Sequence, residues 1–293
     1  MNYIESSSGR TEPGESKVAD HGLIGDLRTA ALVSTKGTVD WLCVPRFDAP
    51  SVFCALLDSE RGGAWRLAPT CEVSTTQQFY FPDSNVLITR FLTEDGVAEV
   101  RDFMPVDSGD DCPGQGVVRI VKAVRGEVEL RSEVQARFDY GQRAATTTAQ
   151  DDGSVLLCDS DVGLRLRASV PLTIGGGEVR ASFSLGEGHI AAFALDLQAS
   201  EDDQGTLSIE EAEWLFDITV AFWRQWLAQG TYRGRWREMV ERSALALKLL
   251  THRSSGAIIA APTASLPEHV GGERNWDYRF VWSRETLSRT LVG

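Results

Sequence analysis

VVRIVKAVRGEVELRSEVQARF, residues Val117–Phe138, is the stretch on which the fold turns. Its second part alternates Val128, Leu130 and Val134 with charged neighbours, the period of a strand that lays one face on a core. Arg125-Gly126 in the middle has the composition of a tight turn, so the stretch reads as a hairpin. Upstream, VLITRFLTEDGVAEVRDF (Val86–Phe103) reads as another, turning at Glu94-Asp95-Gly96. Downstream, GLRLRASVPL, EVRASFSL and HIAAFALDL continue the succession of short strands between turn signals. Such a series predicts a mainly β protein, an antiparallel β-sandwich over residues 20–207. Residues 1–19, polar and rich in Ser, Gly and Glu, read as a disordered leader.

The periodicity changes after Leu207. Ser208-Ile209-Glu210-Glu211 has the form of a capping box, with the Ser accepting from the N3 amide and the Glu reaching back. It opens a linker helix within 208–230, in which Trp214, Ile218, Phe222 and Trp226 recur every fourth residue and Gly230 is the terminator. In GRWREMVERSALALKLLTHRSSG, Trp236, Val240, Leu247 and Leu250 mark one face of a second helix that Gly256 closes. Residues 231–293 hold too few helices to enclose a core of their own.

Composition narrows the function. The chain has 293 residues, 29 basic against 42 acidic, and a net charge of −13. Nucleic acid and anionic lipid would be repelled, so a neutral ligand is expected and neither nucleic acid nor membrane is. The first residues lack a basic n-region and an apolar run, which predicts a cytoplasmic protein without signal peptide or membrane anchor. Cys43, Cys54, Cys71, Cys112 and Cys158 contain no C-x-x-C pair and read as reduced, largely buried thiols. His21, His189, His252 and His269 have no ligand spacing, so no metal or other cofactor is expected. Ser265 has no partnered His and Asp, and GGERNW and TIGGGEV lack phosphate-loop spacing. Asp26, Asp40 and Asp48 lie near turns and Arg46, which favours fold-organising bonds over catalysis. Glu268 and His269 read as polar loop residues.

GGERNWDYRFVWSRE (Gly271–Glu285) crowds rings, guanidinium groups and carboxylates together. Flat apolar faces beside donors and acceptors in fixed geometry suit a sugar. Two plainer readings also fit. Glu285 and Arg289 have i,i+4 spacing for a surface ion pair, and Tyr278, Phe280 and Trp282 alternate as residues lining a core would.

The run AAPTASLPEHVGGERNWDYRFVWSRE resembles glycoside hydrolase family 15, the glucoamylase, glucodextranase and bacterial trehalase group, whose loop of this form joins the first two helices of an α/α toroid. LIGDLRTAALVSTKGTVDWLCVPRFDAPSVFCALLD, Leu23 to Asp58, is similar to that family's β domain and is expected to lay a loop against the helices. The resemblance implies an α-glucoside or α-glucan substrate, cleaved with inversion by one carboxylic acid and one carboxylate that activates water. It also implies that Tyr278 lies near the ring oxygen of a bound glucose, that Trp282 packs on the sugar, and that Arg284 and Glu285 hold outer hydroxyls. These are binding residues. The family's acid and base lie on later helices, so no catalytic residue is expected within this chain. Where the family has Asp, this chain has Glu285, whose extra methylene moves the carboxylate by about 1.5 Å.

The expectation is thus the amino-terminal part of an inverting α-glucoside hydrolase, carrying half a glucose subsite and inactive until a downstream fragment completes the toroid. The alternative is a stand-alone carbohydrate-binding or structural β-sandwich module.

Overall fold

The computed structural model describes residues 18–107, 109, 116–160, 162–197, 205–267 and 272–281. The protein is mainly β. Sixteen strands run in chain order to Asp196: β1 (His21–Gly25), β2 (Ala30–Ser34), β3 (Thr38–Cys43), β4 (Ser51–Phe53), β5 (Ala64–Pro69), β6 (Val73–Tyr80), β7 (Leu87–Thr93), β8 (Gly96–Phe103), β9 (Gly116–Gln135), β10 (Arg143–Ala144), β11 (Thr146–Ala149), β12 (Val155–Cys158), β13 (Gly163–Ala168), β14 (Thr173–Gly175), β15 (Glu178–Gly186) and β16 (Ile190–Asp196). All pairings among them are antiparallel.

The stretch that reads as a hairpin at Arg125-Gly126 is instead one 20-residue strand, β9. Its first part pairs β8 and β16, and its second part pairs β5 and β15, so a single strand belongs to two sheets. Gly126 supplies the bend rather than a reversal. Its φ is +67°, and a Cβ there would lie 2.1 Å from the carbonyl oxygen of Asp95. The register against β8 slips between Val97 and Ala98, a bulge that adds to the twist. No local signal separates this case from a turn, because Gly at positive φ serves both. The hairpin of β7 and β8, by contrast, turns where the sequence places it.

The main core joins both sheets: Val39, Leu67, Val128 and Leu130 of one sheet with Phe91, Val100, Val121 and Phe193 of the other. Val118 and Ile120 point away from it into a second cluster with Leu215, Phe216 and Val220 of the helix Ile209–Leu227. The first part of β9 is therefore covered on both faces and the second part on one, which is why only the second alternates.

Ser208 caps the helix, accepting from the Glu211 amide at 3.0 Å. The return half of the box is not made: the Glu211 carboxylate takes a bond from Arg167 at 2.9 Å, and Arg167 also grips Asp196 at 2.7 Å. A guanidinium is the stronger partner for a carboxylate than a neutral amide. The buried stripe runs through Leu215, Phe216, Thr219, Val220 and Trp223, with Trp214 49% exposed, outside the face its spacing suggests. The second helix, Arg237–Leu249, packs through Leu245 and Leu249, while Trp236, Val240 and Leu247 of the expected face are 53%, 40% and 56% exposed. Apolar period identifies a stripe but not which side finds a partner.

Loop 44–50 does lie against the helices. Phe47, Leu27 and Ala30 share a cluster with Trp223, Leu245, Leu249 and Ile259, and the Arg253 amide donates to Leu27 at 2.8 Å. Among the described residues, no helix is long and apolar enough to cross a membrane.

Candidate functional site

After the second helix the chain returns to the β region as an irregular hairpin. The amides of Ala260 and Ala261 donate to the carbonyls of Phe280 and Tyr278 at 3.1 and 2.9 Å. Further out, β17 (Ala264–Pro267) pairs β18 (Asn275–Asp277) across a register shift. Ser265 occupies the left-handed region at φ +63° within that shift. One side of the hairpin seals on the β region. Ala264 packs with Trp41, Cys43 and Cys54, and the Trp41 indole donates to the Pro262 carbonyl at 2.8 Å.

Arg279 fastens this hairpin. It is 5% exposed and spends its guanidinium on groups far away in sequence. Nη1 donates to the carbonyls of Ala49 at 2.6 Å and Phe47 at 3.2 Å and meets Cys43 Sγ at 3.3 Å. Nη2 donates to the Tyr140 hydroxyl at 2.8 Å and to Asp277 Oδ2 at 2.7 Å, while Nε donates to Asp277 Oδ1 at 2.9 Å. Planar fork geometry allows one side chain to serve all these acceptors. Burial works against the charge, but the Asp277 bonds together with the neighbouring Cys43, Tyr140 and Asp277 groups outweigh it, and the Arg279 pKa is raised. Burial likewise pushes Asp277 up, and the side-chain and backbone bonds from Arg279 more than reverse it, leaving its pKa lowered. The Cys43 thiol, buried, is pushed up to about 12. It remains a neutral thiol rather than a nucleophile.

Tyr140 reaches Arg279 from an unusual backbone. Asp139 and Tyr140 have φ of +51° and +55°, followed by Gly141 at +82°. Left-handed backbone costs a residue with a Cβ about 1–2 kcal/mol. Its neighbours hold it: Phe138 is buried at one end, and Arg143 pairs with Asp159 at 3.0 Å at the other. Burial also raises the Tyr140 pKa, against the Arg279 charge that lowers it.

Of the residues assigned to sugar binding, Tyr278 is half-buried on this hairpin. Trp282, Arg284 and Glu285 lie outside the described residues, as do Arg289, Glu268 and His269. The core-lining alternative does not hold for Phe280, which is 51% exposed, and Trp276 beside it is 56% exposed. Trp41 is fully buried, so it offers no face to a ligand. Asp26 accepts from the amides of Arg28 and Thr29, Asp40 pairs His21 at 2.7 Å, and Asp48 pairs Arg46 at 3.0 Å, all fold-organising bonds. Among the described residues four cysteines are free thiols: Cys43 and Cys54 are buried, Cys158 is half-buried and Cys71 is exposed, so the expectation of burial fails for Cys71, and Cys112 lies outside the described residues.

Sequence reading passed over Arg279. One local signal was available: Asp277 stands two residues before Arg279, the spacing of an Asx turn in which the aspartate accepts from the amide two residues on, here at 3.0 Å. Nothing local pointed to Tyr140.

Residues 13–180 match the family described as Trehalase-like, N-terminal, and residues 234–288 match Glycosyl hydrolases family 15. The chain belongs to this trehalase-like group of glycoside hydrolase family 15. A trehalase of Thermoplasma volcanium is 33% identical, covering 94% of this chain and 44% of its own length. A trehalase of Mycolicibacterium smegmatis is 37% identical, covering 92% of this chain and 43% of its own, and one of Mycobacterium tuberculosis is 34% identical, covering 92% and 42%. The chain thus spans less than half the length of these relatives.

Proposed function

We propose that this chain supplies the β-sandwich and one wall of the glucose pocket of an inverting α-glucoside hydrolase that cleaves trehalose. In this reading residues 20–207 are the sandwich, 208–230 the linker helix and 231–293 the opening of an α/α toroid. Tyr278, Trp282, Arg284 and Glu285 grip one glucose, and the acid and base come from later helices. The observation that carries the reading is the buried Arg279 fork, which holds the strand bearing Tyr278 against the β region. Binding through fixed donors and acceptors requires such a rigid wall. The names of the relatives favour trehalose over maltooligosaccharides and dextran-type glucans. The four free thiols among the described residues fit a reducing compartment, the cytoplasm.

The test is glucose release from trehalose, with maltose and isomaltose as comparisons, by the protein at the length it has in its natural source. Trehalose is expected to be the preferred substrate, with one β-glucose formed first, as inversion requires. Tyr278→Ala or Glu285→Ala is expected to lower kcat/KM on the order of a hundredfold. Residues 1–293 alone are expected to release no glucose until the downstream helices are added. Release by that segment alone, or no cleavage of any α-glucoside by the natural-length protein, would overturn the reading. A binding-only role draws on the exposed rings of Trp276 and Phe280. It predicts saturable heat with maltooligosaccharides and no glucose release at any length of chain.

A further inference from the structure

We propose that Tyr140, reaching from the β region, acts with Arg279 as a positioning pair that sets the sugar-binding strand; this rests on the trehalase reading above. The two side chains come from positions 139 residues apart and meet at 2.8 Å. Neither touches the reacting atoms in this reading. Tyr278 directly precedes Arg279 just beyond the end of β18, and its carbonyl accepts from the Ala261 amide at 2.9 Å, so anchoring Arg279 restrains the backbone that carries Tyr278. Freedom at Arg279 therefore passes directly to Tyr278.

Two further observations favour positioning over plain stapling. The Asp139-Tyr140 corner keeps two residues with side chains at φ +51° and +55°. Backbone strain of this kind persists where the surrounding structure over-determines it, and a hypothesis of function is drawn from the observed outlier. The Tyr140 ring also borders the cluster of Trp41, Cys43, Cys54 and Ala264. Packing can therefore hold the ring without its hydroxyl, and the hydroxyl adds aim rather than burial.

Tyr140→Phe keeps the ring and removes the bond; Arg279→Lys keeps the charge and removes the fork. Both are measured in the natural-length protein, as KM and kcat for trehalose, melting temperature and hydrogen exchange of the Ala260 and Ala261 amides. Tyr140→Phe is expected to raise KM about tenfold, leave kcat within about twofold and leave the melting temperature unchanged. Arg279→Lys is expected to lower kcat/KM about a hundredfold. In both, exchange at Ala260 and Ala261 speeds up while the amides of β9 keep their protection. An unchanged KM in both variants of a protein that does cleave trehalose overturns the positioning inference alone. A rise in KM that comes only with a lower melting temperature and faster exchange throughout assigns the pair a structural role and also overturns it. Wild-type protein that cleaves no trehalose overturns the functional reading and the inference together.

Discussion

Arg119 and Arg279 are the same device placed in two settings. Arg119 is fully buried between the sheets. It pairs with Asp102 at 2.7 Å and donates to the carbonyls of Trp65 at 2.9 Å and Gly37 at 2.8 Å, and its guanidinium lies 5.0 Å from the centre of the Trp65 ring. Arg279 likewise takes one aspartate and two backbone carbonyls, with its guanidinium 5.7 Å from the Tyr140 ring centre. The difference lies in the partners. Asp102 is fully buried on a central strand, whereas the Asp277 side chain is 34% exposed on a short one. A buried fork inside the core ties sheet to sheet; the same fork at the edge ties a loop to the core, with Trp276 and Phe280 of that loop exposed.

The largest effect expected from breaking this comparison is in the core. Asp102→Ala leaves a guanidinium buried without its counter-ion and should lose about 3–5 kcal/mol, measured by urea unfolding. Combining Arg119→Met with Asp102→Leu should recover much of that, since a packed apolar pair of similar size avoids desolvating two charges. A double variant as unstable as the single one would show that the carbonyl bonds to Trp65 and Gly37 matter more than the ion pair.

At the edge the expected loss is smaller. Asp277→Asn should cost about 1 kcal/mol, because water reaches the carboxylate and discounts its charged bonds. The loss should show as local exchange of the 258–281 hairpin, with the sheets unaffected. Equal global destabilisation by Asp277→Asn and Asp102→Ala would erase the distinction between the two arginines.

The smallest effect is one of pH. The folded-state pKa of Asp277 is lowered from its ordinary 3.8. Its contribution is therefore complete above that value and is lost as pH falls through the depressed value. Asp26 and Asp40 have raised values, chiefly from burial. Their contributions have the opposite sign, being complete below 3.8 and lost as pH rises through the raised values. Acidification below about pH 4 should thus loosen the hairpin before the Asp26 turn, read as intrinsic-rate-corrected exchange at Ala261 and Thr29. The reverse order would mean that the Arg279 fork does not depend on the Asp277 charge.

What was legible in the sequence followed local rules. Alternation identified β7, β8 and the second part of β9, and Ser208 marked the start of its helix, because each depends on residues a few positions apart. The ring and charge content of Gly271–Glu285 suggested a sugar site from local composition, and of the four residues assigned to it Tyr278 lies among those described. Errors came where a local pattern has two outcomes. Gly126 bends a strand instead of reversing it, and Trp236, Val240 and Leu247 form a stripe that stays exposed.

The sequence by itself determined the class of elements and carried the motifs that place the chain in a hydrolase family. Tertiary structure alone decided that Cys43, Phe47, Ala49, Tyr140 and Arg279 converge. Their separations of 139, 230, 232 and 236 residues from Arg279 are bridged only by strand pairing and core burial. Those forces act on the assembled sheets, and no window of neighbouring residues carries them.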